Sequence, residues 1–520
     1  MIFLKRILLT VLSLGAVAAL AAQSLSADFD TGSMGRVLRC DSSWLKLSPD
    51  DSMRMCSLEL LSKTDPDNPV DAGVPPSSRW FHFRIDGVRG SMVFIKIPNT
   101  EMQQPFYSYD GVNYMRFGRA ENLFPNTVDA VFERDTVYVA YFAPYTHARH
   151  EQDMARWSRL PFADRETIGF SGNGAPVDML TVTDPSVPDS VKRKVWIHAR
   201  VHTSEAPSSW HLAALVDRLT DTTRLAAEIR RRSLFYVVPE TNPDGVTGGY
   251  SRSDSSGVNL EINWARPDSL TAPEVTVLKS AIRRLTADRP MDVALNMHSQ
   301  VAPRVTYWIH TAGSTSDAFF RREMLLSALT MNHTTHYAPG EQSFSALNER
   351  YCEGWIWNMF GERTLAMTFE TPYTYYNDNP GGGCVMPGNL ARLAEASLLA
   401  LSDLLDLGGA ERRVVDSEGM KRRGEWSERC DGRIFFGESY LTAAEAGASV
   451  QFDFGHLPAG TYDLYRWVPG PQQTDACSGD DNRWVEAATL ENRRDGRLRW
   501  TYRVAAAGEM IDAVLLVRRP

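Results

Sequence analysis

The feature that most constrains this chain is a change of rhythm near residue 148. From there to about residue 409, apolar and β-branched runs alternate with stretches of helical periodicity. Strands that alternate with helices build α/β sheets. The pattern predicts strands over 191–201, 233–238, 291–297 and 364–369. It predicts a helix over 205–219 with Ser204 as its N-cap, and a long closing helix over 387–407. The flanks read differently. Segments 80–84, 91–97 and 136–142, and again 449–454, 461–467 and 510–517, are short runs rich in β-branched and aromatic residues, broken by Pro and Gly. The chain is therefore read as an N-terminal β-sandwich domain over 28–147, an α/β domain over 148–409 and a C-terminal β-sandwich domain over 410–520.

Composition narrows the class. The 520 residues are 43% hydrophobic and 23% charged, with a net charge of −9. These are ordinary globular values, incompatible with wholesale disorder, a collagen-like fibre or a multi-span membrane protein. The acidity argues against nucleic acid as a partner. Residues 1–27 read as a signal peptide: Lys5 and Arg6 precede an uncharged run, and small residues follow at Ala19 to Ala22. Its apolar part, 7–22, is short for a span of about 20 residues. The expectation is an exported chain, periplasmic or extracellular, with no stable membrane span after signal removal. Six cysteines without a Cys-x-x-Cys, in an exported chain, favour disulfides. Their placement favours the pairs 40–56, 352–384 and 430–477. Oligomeric state is not readable.

Chemistry collects at the ends of the predicted strands. The first ends in Ala199-Arg-Val-His202-Thr-Ser-Glu205, the third in His298-Ser299 and the last in Glu370-Thr371. Ligands of open α/β sheets bind outside the carboxyl ends of the strands. His202, Glu205 and His298 supply the two imidazoles and one carboxylate that a catalytic zinc takes while keeping a position for water. Glu370 is left over as general base. A lone His-x-x-Glu has little specificity, but the four residues together, in this order, point to one zinc ion per chain.

These residues resemble the zinc metallocarboxypeptidase superfamily, of carboxypeptidase A/B-like fold, and within it the cytosolic-carboxypeptidase-like branch with an N-terminal β-domain. The segment from Ala199 to Trp210 is similar to that branch's His-Pro-Gly-Glu region. Asn242-Pro-Asp-Gly245, His298-Ser299, Thr368-Phe369-Glu370 and Tyr141-Phe-Ala-Pro-Tyr-Thr146 also resemble family segments. The resemblance spans about 80–410. It implies a mixed-sheet α/β (phosphorylase/hydrolase-like) catalytic domain, here flanked by the two β-sandwiches read above, and a zinc peptidase that hydrolyses peptide amide bonds; it says nothing about 410–520, and secretion rests on the signal-like opening. It also implies the metal ligands and base named above, and Arg252 as the cation that stabilises the oxyanion.

The chain departs from the family at one place. Where the family reads Gly-Val-Asp-x-Asn-Arg-x-Trp, this chain reads Gly257-Val-Asn259-Leu-Glu261-Ile262-Asn263-Trp264. The Asn-Arg pair that grips the substrate's terminal carboxylate is replaced by Glu261 and Ile262, which cannot form a bidentate cationic grip. Altered recognition of the substrate terminus follows, unless Arg266 or Arg304 anchors it from elsewhere. Asn259 stands where an acid would orient a ligand histidine. The family's mobile Tyr falls at Asn348, with Tyr351 near enough to substitute, and Trp355 and Thr368 fall where the family lines its specificity pocket. Two alternatives remain open: a zinc-binding but catalytically weak or inactive binding protein on the same fold, and an amidase acting on envelope peptides. No Gly-x-Ser-x-Gly elbow and no phosphate-binding Gly-x-x-x-x-Gly-Lys-Ser/Thr loop is present.

Overall fold

The structure is a computed structural model that describes residues 23–379, 383–472 and 482–520. Residues 1–22 of the expected signal lie outside the described residues. Its last residues do not: Ser24–Ser26 is a strand paired with residues 84–86. A cut after residue 27 would remove that strand, whereas a cut after Ala22 would spare it.

The chain divides into two compact units. The first comprises residues 34–61 and 82–140 together with the described residues before 29. It holds a five-stranded and a four-stranded sheet. Strand Asp51–Leu60 buries every second residue, including Cys56, Leu58 and Leu60, as a two-layer β-domain requires. The second unit comprises residues 29–33, 62–81 and 141–520. The sequence reading placed all of 28–147 in one domain, but segments 29–33, 62–81 and 141–147 run with the second unit.

The second unit is built on an eight-stranded mixed sheet. Its strands are β1 (Ala163–Phe170), β2 (Pro176–Val182), β3 (Arg193–Ala199), β4 (Ser233–Val238), β5 (Val293–Gln300), β6 (Thr306–His310), β7 (Ser343–Ser345) and β8 (Leu365–Pro372), in the order β1-β2-β4-β3-β5-β8-β6-β7. The central four, β4, β3, β5 and β8, are parallel. Each is buried along nearly its whole length, as expected of strands covered on both faces. Helices α1 (Ala206–Leu219), α2 (Asp317–Asn332), α3 (Cys352–Phe360) and α4 (Pro387–Leu405) belong to the same unit. The expected Ser204 cap is not made. The cap position is Glu205, whose side chain caps nothing because it points into the candidate site.

Residues 412–518 form three small sheets around a core that includes Val450, Phe452, Tyr462, Leu464, Val514 and Leu516. Tyr462 and Trp467 are fully buried, and Trp500 stacks on Phe452. Among the described residues no helix is long and apolar enough to cross a membrane.

Among the described residues the expected disulfides 40–56 and 352–384 are not formed. Cys40, Cys56 and Cys352 are free thiols, and so is Cys430. Cys40 faces Leu58, and Cys56 faces Ser42, across the same strand pair. That makes them diagonal neighbours about 7–8 Å apart, at or beyond disulfide reach. Cys352 is buried at the start of α3, while Cys384 is half-exposed and bridges to Tyr375. Cys477 lies outside the described residues.

Candidate metal centre

Two parallel strands and the turn after a third bring the expected residues together. β3 ends at Ala199, and Arg200 takes the left-handed conformation (φ 62°), turning the chain so that His202 and Glu205 fall just before α1. A side chain in that conformation is strained. Here the Arg200 guanidinium, itself buried, donates to Thr203 O (2.9 Å), Tyr145 O and Ser209 Oγ (both 3.0 Å). β5 delivers His298, and β8 places Glu370 opposite His298 in the ladder.

His202, Glu205 and His298 are all buried, and one donor atom from each lies within 4.8 Å of the others. His202 Nδ1 is 2.9 Å from Glu205 Oε1, and His298 Nδ1 is 2.7 Å from Glu205 Oε2. The far nitrogens are held from behind. His202 Nε2 lies 3.1 Å from Asn259 Oδ1, and His298 Nε2 lies 3.1 Å from Glu261 Oε2. Ser299 N–H donates to Glu205 Oε2. Imidazoles fixed through one nitrogen by a carboxylate or amide, with the other facing a common centre, are the arrangement that zinc ligands show. The donor set fits a zinc ion with an open position.

The electrostatics follow from the same contacts. Burial opposes a charge on His298, but Glu261 and Glu205 outweigh it and hold its pKa well above the ordinary 6.5. Burial, with Arg252 beside it, pushes His202 down to about 4. Burial and the nearby Glu205 push Glu370 up to about 7. Trp308 Nε1 donates weakly to Glu370 Oε1 (3.4 Å), and Oε2 is out of solvent with no hydrogen-bond partner. Arg252, partly exposed, places Nη2 3.0 Å from His202 Nε2 and Nη1 3.7 Å from Glu205 Oε1.

Other expected residues sit elsewhere. Glu261 is 7% exposed, and its carboxylate also accepts from Asn296 Nδ2 at 3.0 and 3.1 Å. Its carboxylate is thus held between His298 and Asn296. Ile262 is half-buried beside it. Thr368 donates to Glu353 Oε1 at 2.6 Å, and Asn296 also reaches Glu353. Trp355 packs on Trp264 (5.6 Å between ring centroids) and the core behind the sheet. Tyr351 is exposed at the N-cap of α3. Arg304 pairs with Asp378, and Arg266 donates to Val70 O. Sequence reasoning missed Asn296, Glu353 and Arg200. Asn296 had a signal, because it precedes His298 by two on one strand and so shares its face.

The Asn242-Pro-Asp-Gly245 turn ties the site loops together. Asn242 Nδ2 donates to Val201 O and Ser253 O, and its Oδ1 caps the helix Pro243–Thr247 by accepting from Gly245 N. A Cβ on Gly245 would come within 2.4 Å of Thr203 Cγ2 and 2.6 Å of Ser253 O.

Comparison with known proteins shows what the chain is similar to. Residues 159–302 match the zinc carboxypeptidase family, Peptidase M14. Over 372 residues the chain is 25% identical to an uncharacterised protein of Zymomonas mobilis, covering 64% of this chain and 90% of that protein. Over 160 residues it is 31% identical to mouse cytosolic carboxypeptidase 6, covering 30% of each chain. In fold it resembles the crystal structure of a metallo-carboxypeptidase from Burkholderia cenocepacia (TM-score 0.60, 24% identity, 73% of this chain and 98% of that one). Over residues 159–302 the chain is thus similar to the zinc carboxypeptidase family. The matched segment contains His202, Glu205, Arg252, Asn259, Glu261 and His298. Glu370 lies beyond it and is assigned by geometry.

Proposed function

We propose that the chain is an exported zinc-dependent hydrolase of peptide or peptide-like amides, of carboxypeptidase type, that does not read its substrate's terminus through the family's Asn-Arg pair. One observation carries the reading: two imidazoles and a carboxylate converge within 4.8 Å, with Glu370 on the adjoining strand opposite His298 and Arg252 reaching the same carboxylate. A zinc ion held by His202, Glu205 and His298 would acidify water and polarise a carbonyl there. Glu370, pushed up to about 7, is tuned to take a proton from the attacking water and return it to the leaving amine near neutral pH. Arg252 supplies positive charge where negative charge develops. Export is supported by the basic and apolar opening of the chain.

Altered terminus recognition is supported by the engagement of Glu261 with His298 and Asn296 and by the apolar Ile262 beside it. Neither offers a cation to a carboxylate. Glu370→Gln is expected to lower kcat by about 10²–10⁴-fold with zinc content unchanged, measured by hydrolysis of a peptide panel alongside metal analysis. Full activity in that variant would remove Glu370 from the mechanism. The same panel with free and amidated C-termini tests the terminus. Cleavage of both is expected, and strict dependence on the free carboxylate would overturn altered recognition.

A further inference from the structure

The loop that carries Arg252 is held by a piece of chain almost two hundred residues earlier. Asp65, 5% exposed, accepts hydrogen bonds from three consecutive backbone N–H groups: Ser251 (2.7 Å), Arg252 (2.8 Å) and Ser253 (3.2 Å). Successive N–H groups converging on one anion form a concave, charge-assisted grip. The rest of the 62–81 segment works on the same loop. Lys63 Nζ donates to Gly248 O at 2.7 Å and sits 3.9 Å over the Tyr250 ring, and Trp80 N–H donates to Ser251 Oγ at 2.9 Å.

The approach is backbone to backbone. Gly249 (φ +64°) and Gly257 (φ +92°) would each put a Cβ within 2.3 Å of a carbonyl oxygen, that of Gly32 and of Asp67 respectively. Both glycines are therefore needed for the early chain to lie against the loop. The Arg252 side chain is partly exposed, and among the described residues its hydrogen bond and ion pair are to His202 and Glu205. Its position is then fixed from the backbone side.

We infer that Asp65 is a positioning residue for Arg252, holding its main chain so that the guanidinium reaches the metal centre. The inference rests on the reading of Arg252 given above. The Asp65 carboxylate touches no reacting atom and acts through the loop.

The test uses the full chain and two readouts. Hydrogen exchange resolved to single amides should be faster at Ser251, Arg252 and Ser253 in Asp65→Ala and in the milder Asp65→Asn, with exchange in β5 unchanged. Unaltered exchange at those three amides in a folded variant would overturn the inference. In hydrolysis, kcat should fall about 10–100-fold while KM and zinc content hold. In an Arg252→Ala background the same Asp65 substitution should change kcat less than about twofold, because its effect passes through Arg252. An equal loss in both backgrounds would overturn the inference. If Arg252→Ala alone leaves kcat unchanged, or the wild-type chain cleaves no peptide, the functional reading fails, and the amide exchange alone decides the grip.

Discussion

At the scale of single residues, the two candidate ligand histidines are not held alike. His202 is backed by an amide, Asn259, and His298 by a carboxylate, Glu261. Groups in such positions set ring orientation and ligand basicity, and their loss costs about 10–100-fold in metal affinity. Glu261→Gln is expected to weaken zinc binding within that range, measured by competition with a chelator, and to do so more than Asn259→Ala. The charge state of His298 gives a pH dependence. In the metal-free protein its raised pKa means that the folded state keeps a proton which the unfolded chain loses near 6.5. That contribution to stability is fully present below 6.5 and is lost as pH rises through the raised value. Metal binding needs the bare nitrogen, so it expels the proton and tightens with rising pH. Titration calorimetry of zinc in buffers of differing ionisation enthalpy should count the released proton on the acid side of the His298 pKa.

At the scale of elements, the strand ends explain what could be read in advance. His202, His298 and Glu370 each directly follow a predicted apolar run and Glu205 comes three residues after His202, so local pattern placed them on one sheet edge. Glu261 could not be placed that way. Its partner, His298, is 37 positions on, and an alignment of motifs alone put it against a substrate. Trp355 was open between pocket and core for the same reason, and its packing on Trp264 decides for core. The Ser204 cap failed because the N-cap of α1 is Glu205, whose carboxylate is held between His202 and His298. The turn at Asn242–Gly245 makes its own prediction. Gly245→Ala would force Thr203 and Ser253 apart, at a cost of about 1–3 kcal/mol. A lowered melting temperature together with weaker zinc binding is expected, since both loops lead to site residues.

At the scale of the molecule, the α/β unit and the C-terminal strands are joined by a buried ion pair. Asp403 on α4 is 1% exposed and is bonded by Arg412 Nη2 (2.7 Å) and His333 Nε2 (2.9 Å). Removing one partner of such a pair strands a charge and costs about 3–5 kcal/mol. Arg412→Met should lower the denaturant midpoint accordingly, while Asp403→Asn with Arg412→Met should recover part of the loss. The tripartite order of β, α/β and β was visible in the changing periodicity. What was not visible is that residues 62–81 leave the first β-rich stretch to run with the second unit, because nothing local marks a segment whose role is to offer one carboxylate to a distant backbone. That grip has a practical consequence for anyone trimming the protein. A chain cut back to begin at residue 141, ahead of the matched segment 159–302, retains His202, Glu205, His298, Arg252 and Glu370. It discards Asp65, and so is expected to keep the candidate metal-binding side chains while losing the aim of its arginine.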